Sequence, residues 1–371
     1  MRVLHLLDTI NRGGAEMQAL DVCRNARRYG IELTFVTAQG GAMEKDFQGS
    51  SADYFKLSRR LSIDLTLVLK LRKIIKDQKI ELVQSYQAVD GLHCYLATLG
   101  LPVKQVLSYQ GFISDRKNRR TLRFLIPRMD ANICVSKGLL KWLERNDKLD
   151  TSRKFHVIYN GADPARLAPS GKSLKKELSL SADTLLFGMI GNFYRDRRKD
   201  QMTLCESLPK VFAEIKDARC IFAGSVEAGA EGKFQMCVDF CRENAIAEKV
   251  FFLGGREDVP DVLDALDLFV FSSLHEGLPV AVSEAMLGGV PMIVSDIEPL
   301  LEASGGGGKY AEVFPVQNAE VLSEKILKLL RDKSQRESLA ACAFRFASEN
   351  LSIKAHLREL EKLYQTLLQQ P

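Results

Sequence analysis

Short apolar runs alternate with longer amphipathic stretches along most of the chain. Short, largely apolar runs are typical of buried strands, and apolar residues repeating every three to four positions are typical of helices packed on one face. The predicted strands are Val3–Leu7, Ile31–Thr37, Ile80–Ser85, Val103–Ser108, Ala131–Val135, Phe155–Ile158, Leu185–Ile190, Arg219–Ala223, Val250–Leu253, Leu268–Ser272 and Pro291–Ser295. The predicted helices include Ala15–Tyr29, Leu65–Lys79, Asp200–Lys216, Lys233–Ala245, Val259–Leu266, Pro279–Leu287, Ala319–Arg331, and Ser334–Gln369 with a break near Asn350–Ser352. Such alternation predicts the α/β class, with parallel sheets covered on both faces.

The alternation is interrupted between Asn160 and Thr184, where Pro, Ser, Gly and charged residues predict an interdomain linker followed by a surface segment. The chain is therefore predicted to hold two Rossmann-like domains, residues 1–162 and 163–351. A final helix is predicted over about 352–371. Because ligands of open α/β sheets bind beyond the carboxyl ends of the strands, we expect the site in a cleft between the domains.

Composition is ordinary for a globular protein, with 46% hydrophobic and 27% charged residues. No stretch approaches the roughly 20 apolar residues that span a bilayer, and the first apolar run turns polar at Asp8, too early for a signal peptide. The eight cysteines include no C-x2-C pair, which favours a reducing compartment. Cys237 and Cys241, one helical turn apart, are interpreted as core or semi-buried thiols, with metal binding as the lesser alternative. These features predict a cytoplasmic protein.

Charge is distributed unevenly along the chain. The first 165 residues contain 27 Lys and Arg against 17 Asp and Glu, and the remainder contains 25 against 30. A basic half indicates an anionic partner, and without a nucleic-acid-binding signature a membrane surface is favoured over nucleic acid. The basic segment Asp115–Arg128, with Phe124, Leu125 and Ile126, is predicted to touch such a membrane; a solvated loop over the acceptor is the alternative. The basic stretch Leu65–Lys79 is interpreted as a surface helix packed on its sheet.

Two glutamates, Glu276 and Glu284, stand in the most strongly patterned stretch, LDLFVFSSLHEGLPVAVSEAMLGGVPMIVSD. A strand delivers Glu276 into a loop, Gly277 permits close approach of backbone to a ligand, and Pro279 suits the first position of the helix that carries Glu284. Were the span helical, the carboxylates would be separated by about 12 Å along the axis. That separation is comparable to the reach from sugar to ribose in a nucleotide sugar, and the backbone N–H groups between them would suit a diphosphate.

Gly13 and Gly14 stand between the first predicted strand and the first helix. Backbone N–H groups and the positive end of a helix can meet an anion there. The pattern is not G-x-G-x-x-G, so a dinucleotide fingerprint is absent. A plain tight turn fits the same residues, and both interpretations stay open.

The span from Glu276 to Glu284 resembles the Glu, seven residues, Glu signature of glycosyltransferase family 4, whose members have the GT-B fold of two Rossmann-like domains. The segments GGAE, ICVSKGLLKWL, VIYNGADPARL and FLGGREDVPDVLDALDLFV resemble other motifs of that family and occur in the same order. The resemblance covers nearly the full length, and it implies that the final helix, over about 352–371, returns to the N-terminal domain. It implies a retaining hexosyltransferase that takes a sugar from a nucleotide-sugar donor.

The resemblance implies that Glu276 hydrogen-bonds the hydroxyls of the donor sugar, that Glu284 hydrogen-bonds the ribose hydroxyls and that Gly14 faces the diphosphate. Backbone groups near Gly255–Glu257 would meet the base. The predicted catalytic residues are Glu276, Lys199 and Arg195. The predicted donor-binding residues are Gly13, Gly14, Asn192, Arg198, Gly255, Arg256, Gly277, Leu278, Pro279 and Glu284, and Gln110 and Gly111 are predicted at the acceptor or sugar rim.

Family members usually supply an Arg and a Lys to the diphosphate. Lys199 fits the lysine position, but Asn192 stands where arginine is common, so Arg195 or Arg198 is predicted to replace it, and Arg197 is interpreted as solvated. One fixed donor of this kind is worth roughly 3–4 kcal/mol when the leaving group becomes charged. Without a D-x-D at a strand end in the expected context, and with these cations present, we expect neither metal nor cofactor.

Gln110 stands where many relatives place a histidine. An amide can donate and accept hydrogen bonds but cannot shuttle a proton at neutral pH. His93 lies in the apparent helix DGLHCYLAT and is interpreted as a packed side chain. Gln110 therefore predicts that either the identity of the donor or the shape of the active-site rim differs from that of the best-known relatives.

The sequence thus predicts transfer of a sugar from a nucleotide donor, UDP favoured over GDP, to a glycan or lipid-linked glycan in capsule, exopolysaccharide or lipopolysaccharide assembly. The predicted location is the cytoplasm, with peripheral attachment to the inner face of the plasma membrane as the alternative, and no nucleic-acid partner is expected. The missing His and Arg leave two alternatives: a non-catalytic nucleotide-sugar sensor or partner subunit, and a GT-B epimerase acting on the nucleotide sugar alone.

Overall fold

The computed structural model describes residues 1–112, 115–152 and 154–370. Its contacts divide the chain into two compact units. Unit 1 comprises Met1–Ala162 together with the chain from Ile353 onward, and unit 2 comprises Asp163–Ser352.

Unit 1 contains a parallel sheet in the order β3-β2-β1-β4-β5-β6-β7. Its strands are β1 Arg2–Thr9, β2 Glu32–Gly40, β3 Asp53–Lys56, β4 Leu82–Ser85, β5 Lys104–Tyr109, β6 Ala131–Cys134 and β7 Phe155–Val157. Its first helices are α1 Gly14–Asn25, α2 Glu44–Gln48, α3 Leu65–Asp77, α4 Ala88–Thr98, α5 Arg116–Leu125 and α6 Lys137–Arg145. Apolar clusters form on the sheet, one around Phe35 and Leu82 and another around Leu71 and Val83. Burial on both faces explains why these strands are continuous apolar runs.

Unit 2 contains a second parallel sheet in the order β10-β9-β8-β11-β12-β13. Its strands are β8 Leu185–Ile190, β9 Ala218–Ala223, β10 Val250–Gly254, β11 Leu268–Phe271, β12 Met292–Ser295 and β13 Glu312–Phe314. Its helices are α7 Leu174–Glu177, α8 Gln201–Glu214, α9 Glu231–Glu243, α10 Val259–Asp264, α11 Val280–Leu287, α12 Glu298–Ala303, α13 Ala319–Arg331 and α14 Lys333–Asn350. Cys237 and Cys241 are buried in the core of this unit, as predicted.

The last helix, α15 Ile353–Gln369, belongs to unit 1. Leu357, Leu360 and Tyr364 on one face of it join the same core as β1. The buried Tyr364 hydroxyl donates to Gln84 Oε1 at 2.6 Å and lies 3.0 Å from Nε2 of His5. Burial lowers the pKa of His5 to about 3, so its ring is neutral and fits this dry network.

Strand and helix positions were predicted within a few residues where the apolar pattern is long. The sequence prediction missed β3 and β13, which have four and three residues and lie at sheet edges. Residues 160–184 were predicted to be a linker followed by a surface segment, and most residues from 168 to 183 are exposed. The chain there forms a 3-10 turn, Pro164–Leu167, and α7, and Ser170 is hydrogen-bonded through its N–H and hydroxyl to the carboxylate of Asp261.

Strand order reverses at one point in each sheet, between β1 and β4 in unit 1 and between β8 and β11 in unit 2. Loops diverge to opposite faces at such a point and leave a crevice at the carboxyl ends of the strands. In unit 2 the loops that follow these strands are residues 191–200 and 272–279. They contain Lys199 and Glu276.

Candidate active site

Lys199 and Glu276 form an ion pair at the strand-order reversal of unit 2, with 2.5 Å between Nζ and Oε1. Their side chains are only 9% and 10% exposed. The ammonium also lies 3.9 Å from the centre of the Phe271 ring. Burial lowers the pKa of Lys199, and the carboxylate of Glu276 opposes that shift. Each charge is therefore held in place by the other in a poorly solvated site, an arrangement typical of functional groups.

Ser273 holds the loop that carries Glu276. Its hydroxyl lies 2.6 Å from Oε1 of Glu276 and contacts the backbone carbonyl of Arg198. Its backbone N–H donates to the hydroxyl of Ser295 at 2.8 Å, which ties the loop to the end of β12. The carbonyl of Arg198 also accepts from the N–H of Leu274 at 2.8 Å. The two loops are thereby joined to each other directly beside the ion pair.

Glu284 lies on α11 and pairs with Arg166, with 2.7 Å between Oε1 and Nη1. Both side chains are largely buried, at 9% and 11% exposed. Arg166 belongs to the 3-10 turn after the N-G-x-D motif, which the sequence analysis treated only as a junction between domains. The partner of Glu284 was therefore missed. The residues PAR that follow NGAD were the available signal, but 118 positions separate the two residues along the chain.

The backbone between the two glutamates is covered. Gly277, Leu278 and Pro279 are buried, and α11 begins at Val280 directly after them. Pro279 thus occupies the capping position rather than the first helical position. The amino end of α11 therefore lies next to the Glu276 loop.

The basic turn before α8 divides its side chains among different partners. Arg198 folds onto Asp196, with 2.6 Å between Nη2 and Oδ2, and its guanidinium lies 4.6 Å from the Tyr194 ring. Arg195 is exposed, and its backbone N–H donates to Glu227 at 2.8 Å. Oδ1 of Asn192 accepts from the N–H of Ser225 at 2.9 Å and so joins the ends of β8 and β9. Lys199, the next residue of this turn, pairs with Glu276.

Gly255 and Arg256 follow β10. A Cβ on Gly255 would lie 2.3 Å from the hydroxyl of Ser225, so a larger residue here would require that hydroxyl to move. The guanidinium of Arg256 pairs with Glu177 at 2.6 Å and with Asp258 at 2.7 Å. Its side chain is therefore committed to neighbouring carboxylates, which leaves backbone groups for any contact with a base.

In unit 1, Gly13 caps α1 and Gly14 begins it. An oxygen of the Glu16 carboxylate lies 2.5 Å from the position that a Cβ on Gly13 would occupy. Burial raises the pKa of Glu16 to about 7. An acidic side chain therefore covers the glycine turn at the amino end of this helix.

Gln110 and Gly111 follow β5 in unit 1. The amide of Gln110 donates to the Ser108 hydroxyl at 3.0 Å and accepts from Nδ2 of Asn160 at 3.0 Å. Around Gly111, a Cβ would meet no atom within 4 Å. His93 is fully buried in α4 and accepts from the N–H of Asp64 at 3.0 Å, so its interpretation as a packed side chain is confirmed.

The prediction that residues 115–128 touch a membrane is wrong for two of its three apolar side chains. Leu125 and Ile126 are buried and cannot touch lipid. Phe124 is 42% exposed, and Arg128 lies 3.9 Å above its ring. Residues 113 and 114, just before this segment, lie outside the described residues.

Two family models match the chain: Glycosyltransferase Family 4 over residues 12–166, and Glycosyl transferases group 1 over residues 184–332. Together they span most of both units. The chain is a glycosyltransferase of family 4 with the GT-B fold. The glycosyltransferase is 24% identical over 315 residues to the UDP-Gal:alpha-D-GlcNAc-diphosphoundecaprenol alpha-1,3-galactosyltransferase of Escherichia coli, which covers 80% of this chain and 78% of that protein.

Two further comparisons are informative. The glycosyltransferase is 38% identical over 119 residues to the N,N'-diacetylbacillosaminyl-diphospho-undecaprenol alpha-1,3-N-acetylgalactosaminyltransferase of Campylobacter jejuni, which covers 31% of each chain. The crystal structure of Anabaena HepE in complex with UDP and glucose superposes with a TM-score of 0.86 at 18% identity, covering 99% of this chain and 100% of that one. At that identity the superposition establishes the fold.

Proposed function

We propose that this glycosyltransferase moves a sugar from a nucleotide donor, UDP favoured over GDP, to a lipid-linked glycan in surface polysaccharide biosynthesis, with retention of configuration and without a metal ion. The observation that carries the proposal is the buried Lys199–Glu276 pair at the strand-order reversal of unit 2. In that position a nucleotide sugar would lie over the start of α11, with its sugar at Glu276 and its ribose at Glu284.

The chemistry follows from the charges that develop during transfer. Breaking the bond from the sugar to the diphosphate puts negative charge on the leaving oxygen. The ammonium of Lys199 has three N–H donors, of which Glu276 takes one, so another is available for the diphosphate. Cations and helix N–H groups fixed in this way stabilise the leaving group more than the ground state. The acceptor would attack from the face that the diphosphate leaves, and a phosphate oxygen would take its proton.

The choice of donor and acceptor is supported by the relatives. The Escherichia coli and Campylobacter jejuni enzymes are both named for acceptors linked to undecaprenol through a diphosphate. The first is named for UDP-galactose, and HepE was crystallised with UDP and glucose. We infer a related acceptor here, reached from the cytoplasmic side of the plasma membrane.

A screen of nucleotide sugars tests the proposal. A true donor present at about 100 times its Kd should stabilise the protein by about 2.7 kcal/mol and raise the melting temperature accordingly. The stabilising donor is then incubated with an undecaprenyl-diphosphate sugar, and the anomeric configuration of the product is read by NMR. Binding without turnover on any acceptor would indicate a sensor, and a changed sugar nucleotide without acceptor would indicate an epimerase.

A further inference from the structure

Four exposed apolar side chains form a ridge on unit 1, at the end of the loop after β3 and on the first turns of α3. They are Leu61, Ile63, Leu65 and Leu69, which are 67%, 55%, 68% and 67% exposed. In the part of the chain that the structure describes, no other segment of this length exposes so many large apolar side chains. The interpretation of α3 as a helix that simply packs on its sheet accounts for its other face, where Leu67 and Leu71 are buried, but it does not account for this ridge.

The ridge is held in shape by the carboxylate of Asp64. One oxygen accepts from the N–H and hydroxyl of Thr66, at 2.9 and 2.6 Å, and the other accepts from the N–H of Arg60 at 2.8 Å. The N–H of Asp64 is bonded to the buried His93 on α4. Asp64 is itself buried, so the apolar side chains on either side of it point outward from a fixed turn. Binding a surface would therefore require little ordering of the chain.

Basic residues continue the same surface. On a helix, residues four apart share a face, which places Leu65, Leu69 and Lys73 on one stripe. Lys76 follows on it, and Lys70 flanks it; all three lysines are exposed. Between positions 60 and 76 the sole acidic residue is Asp64, whose carboxylate is turned inward. An apolar tip followed by cations is the pattern of an element that lies in the interface of an anionic membrane.

The ridge also lies near the end of unit 1 where the acceptor is expected. Arg59, two residues before Leu61, forms a two-pronged ion pair with Asp8 at the end of β1, with contacts of 3.1 and 2.6 Å. β1 borders the strand-order reversal of unit 1. A membrane held by the ridge would therefore present lipid head groups close to that crevice.

We propose that the ridge, Leu61, Ile63, Leu65 and Leu69, docks unit 1 on an anionic lipid bilayer, with Lys70, Lys73 and Lys76 on the head groups. The biological purpose of this docking rests on the proposed lipid-linked acceptor, whereas the affinity of the ridge for an anionic bilayer does not depend on it. Unit 1 contains 30 Lys and Arg against 18 Asp and Glu, which adds a long-range attraction to the same surface. The helix α5 in the segment predicted from the sequence would contribute charge, since its own apolar residues are mostly buried.

Vesicle co-sedimentation of the full chain tests the proposal, with vesicles of phosphatidylglycerol in phosphatidylcholine against phosphatidylcholine alone. The wild type should bind the anionic vesicles at least tenfold more tightly than the vesicles of phosphatidylcholine alone. The pairs Leu65→Ser with Leu69→Ser, and Lys73→Glu with Lys76→Glu, should each weaken that binding at least tenfold. The matched control is Met236→Ser with Phe344→Ser, two exposed apolar residues of unit 2, which should bind as the wild type does.

Two further measurements separate the outcomes. UDP binding by the ridge variants should match the wild type, because none of the changed residues belongs to the proposed donor site. Suppose that neither the wild type nor any variant binds a nucleotide, while the ridge variants still lose vesicle binding. The proposed function would then be wrong, and the proposed docking surface would remain supported. Unchanged vesicle binding by the Leu65→Ser, Leu69→Ser pair would overturn the proposal. Loss of self-association in that pair, with vesicle binding intact, would assign the ridge to a second copy of the chain instead.

Discussion

Removing the negative member of the buried pair, by Glu276→Gln, should destabilise unit 2 as well as stop transfer. Lys199 would keep its charge at a site where its side chain is 9% exposed, and it would lose a partner at 2.5 Å. Breaking a buried pair from one side typically costs about 3–5 kcal/mol. Unit 2 has 190 residues, and for a domain of that size each kcal/mol lowers the melting temperature by about 2–4 °C. The expected decrease is therefore about 6–20 °C.

The assay uses urea or thermal unfolding followed by far-UV circular dichroism and by tryptophan fluorescence. The chain has a single tryptophan, Trp142, which lies on α6 of unit 1, so its fluorescence reports on that unit. Circular dichroism reports on both units. The matched control is Glu324→Gln, which removes one member of the exposed pair Lys210–Glu324 in the same unit and should cost no more than about 1 kcal/mol.

The pH dependence gives a second readout. Burial already lowers the pKa of Lys199, and loss of the opposing carboxylate should lower it further. A neutral amine carries no buried charge, so the deficit of Glu276→Gln should shrink as pH rises above neutrality. At a temperature where the variant is folded, kcat/KM should still fall at least a hundredfold, or about 2.7 kcal/mol. If Glu276→Gln unfolds at the same midpoint as Glu324→Gln, the reasoning about a buried pair is wrong.

Further predictions concern buried charged groups of both units and the proposed metal-independent mechanism. Arg166→Ala should leave Glu284 buried without its cation and raise the KM for the nucleotide sugar about tenfold, measured by initial rates, with a smaller effect on kcat. Burial raises the pKa of Glu16 to about 7, so this carboxyl binds a proton more tightly in the folded protein than in the unfolded chain. The protein should therefore lose stability as pH rises from about 4.5 to about 7. Urea midpoints measured across this range should show that Glu16→Gln removes the loss. Lys199→Ala should cut transfer at least a hundredfold, whereas EDTA should leave wild-type transfer unchanged, and strict dependence on an added metal would contradict the proposed mechanism.

The apolar pattern was sufficient to predict most strands because both faces of a parallel sheet are buried. It failed for β3 and β13, where three or four residues at an edge carry too little pattern to separate a strand from a loop. The two glutamates and Lys199 were predicted from local motifs, and the structure brings Lys199 to Glu276 across 77 positions of sequence. That distance in sequence is also why Arg166 was missed: a local pattern contains no signal for a partner that depends on how the chain closes.

The exposed ridge at the start of α3 shows a different limit. The helical periodicity of Leu65–Lys79 was recognised, but periodicity alone cannot say which of two apolar stripes faces the core. In the structure Leu67 and Leu71 face the core, and Leu65 and Leu69 face solvent. The segment 115–128 was preferred because basic residues precede a short apolar run there, yet burial of Leu125 and Ile126 removes most of its apolar surface.

The position of α15 has a consequence for biosynthesis. The core of unit 1 needs Leu357, Leu360 and Tyr364, yet the 190 residues of unit 2 are translated between them and the rest of that core. At about 5–20 residues per second, ribosomes take roughly 10–40 s to make that stretch. Unit 1 therefore waits, incomplete, with its apolar groove for α15 open, while unit 2 has all of its own sequence and can finish first. The nascent chain is most exposed to aggregation and to chaperones in that interval, and the order of maturation is the reverse of the order of synthesis.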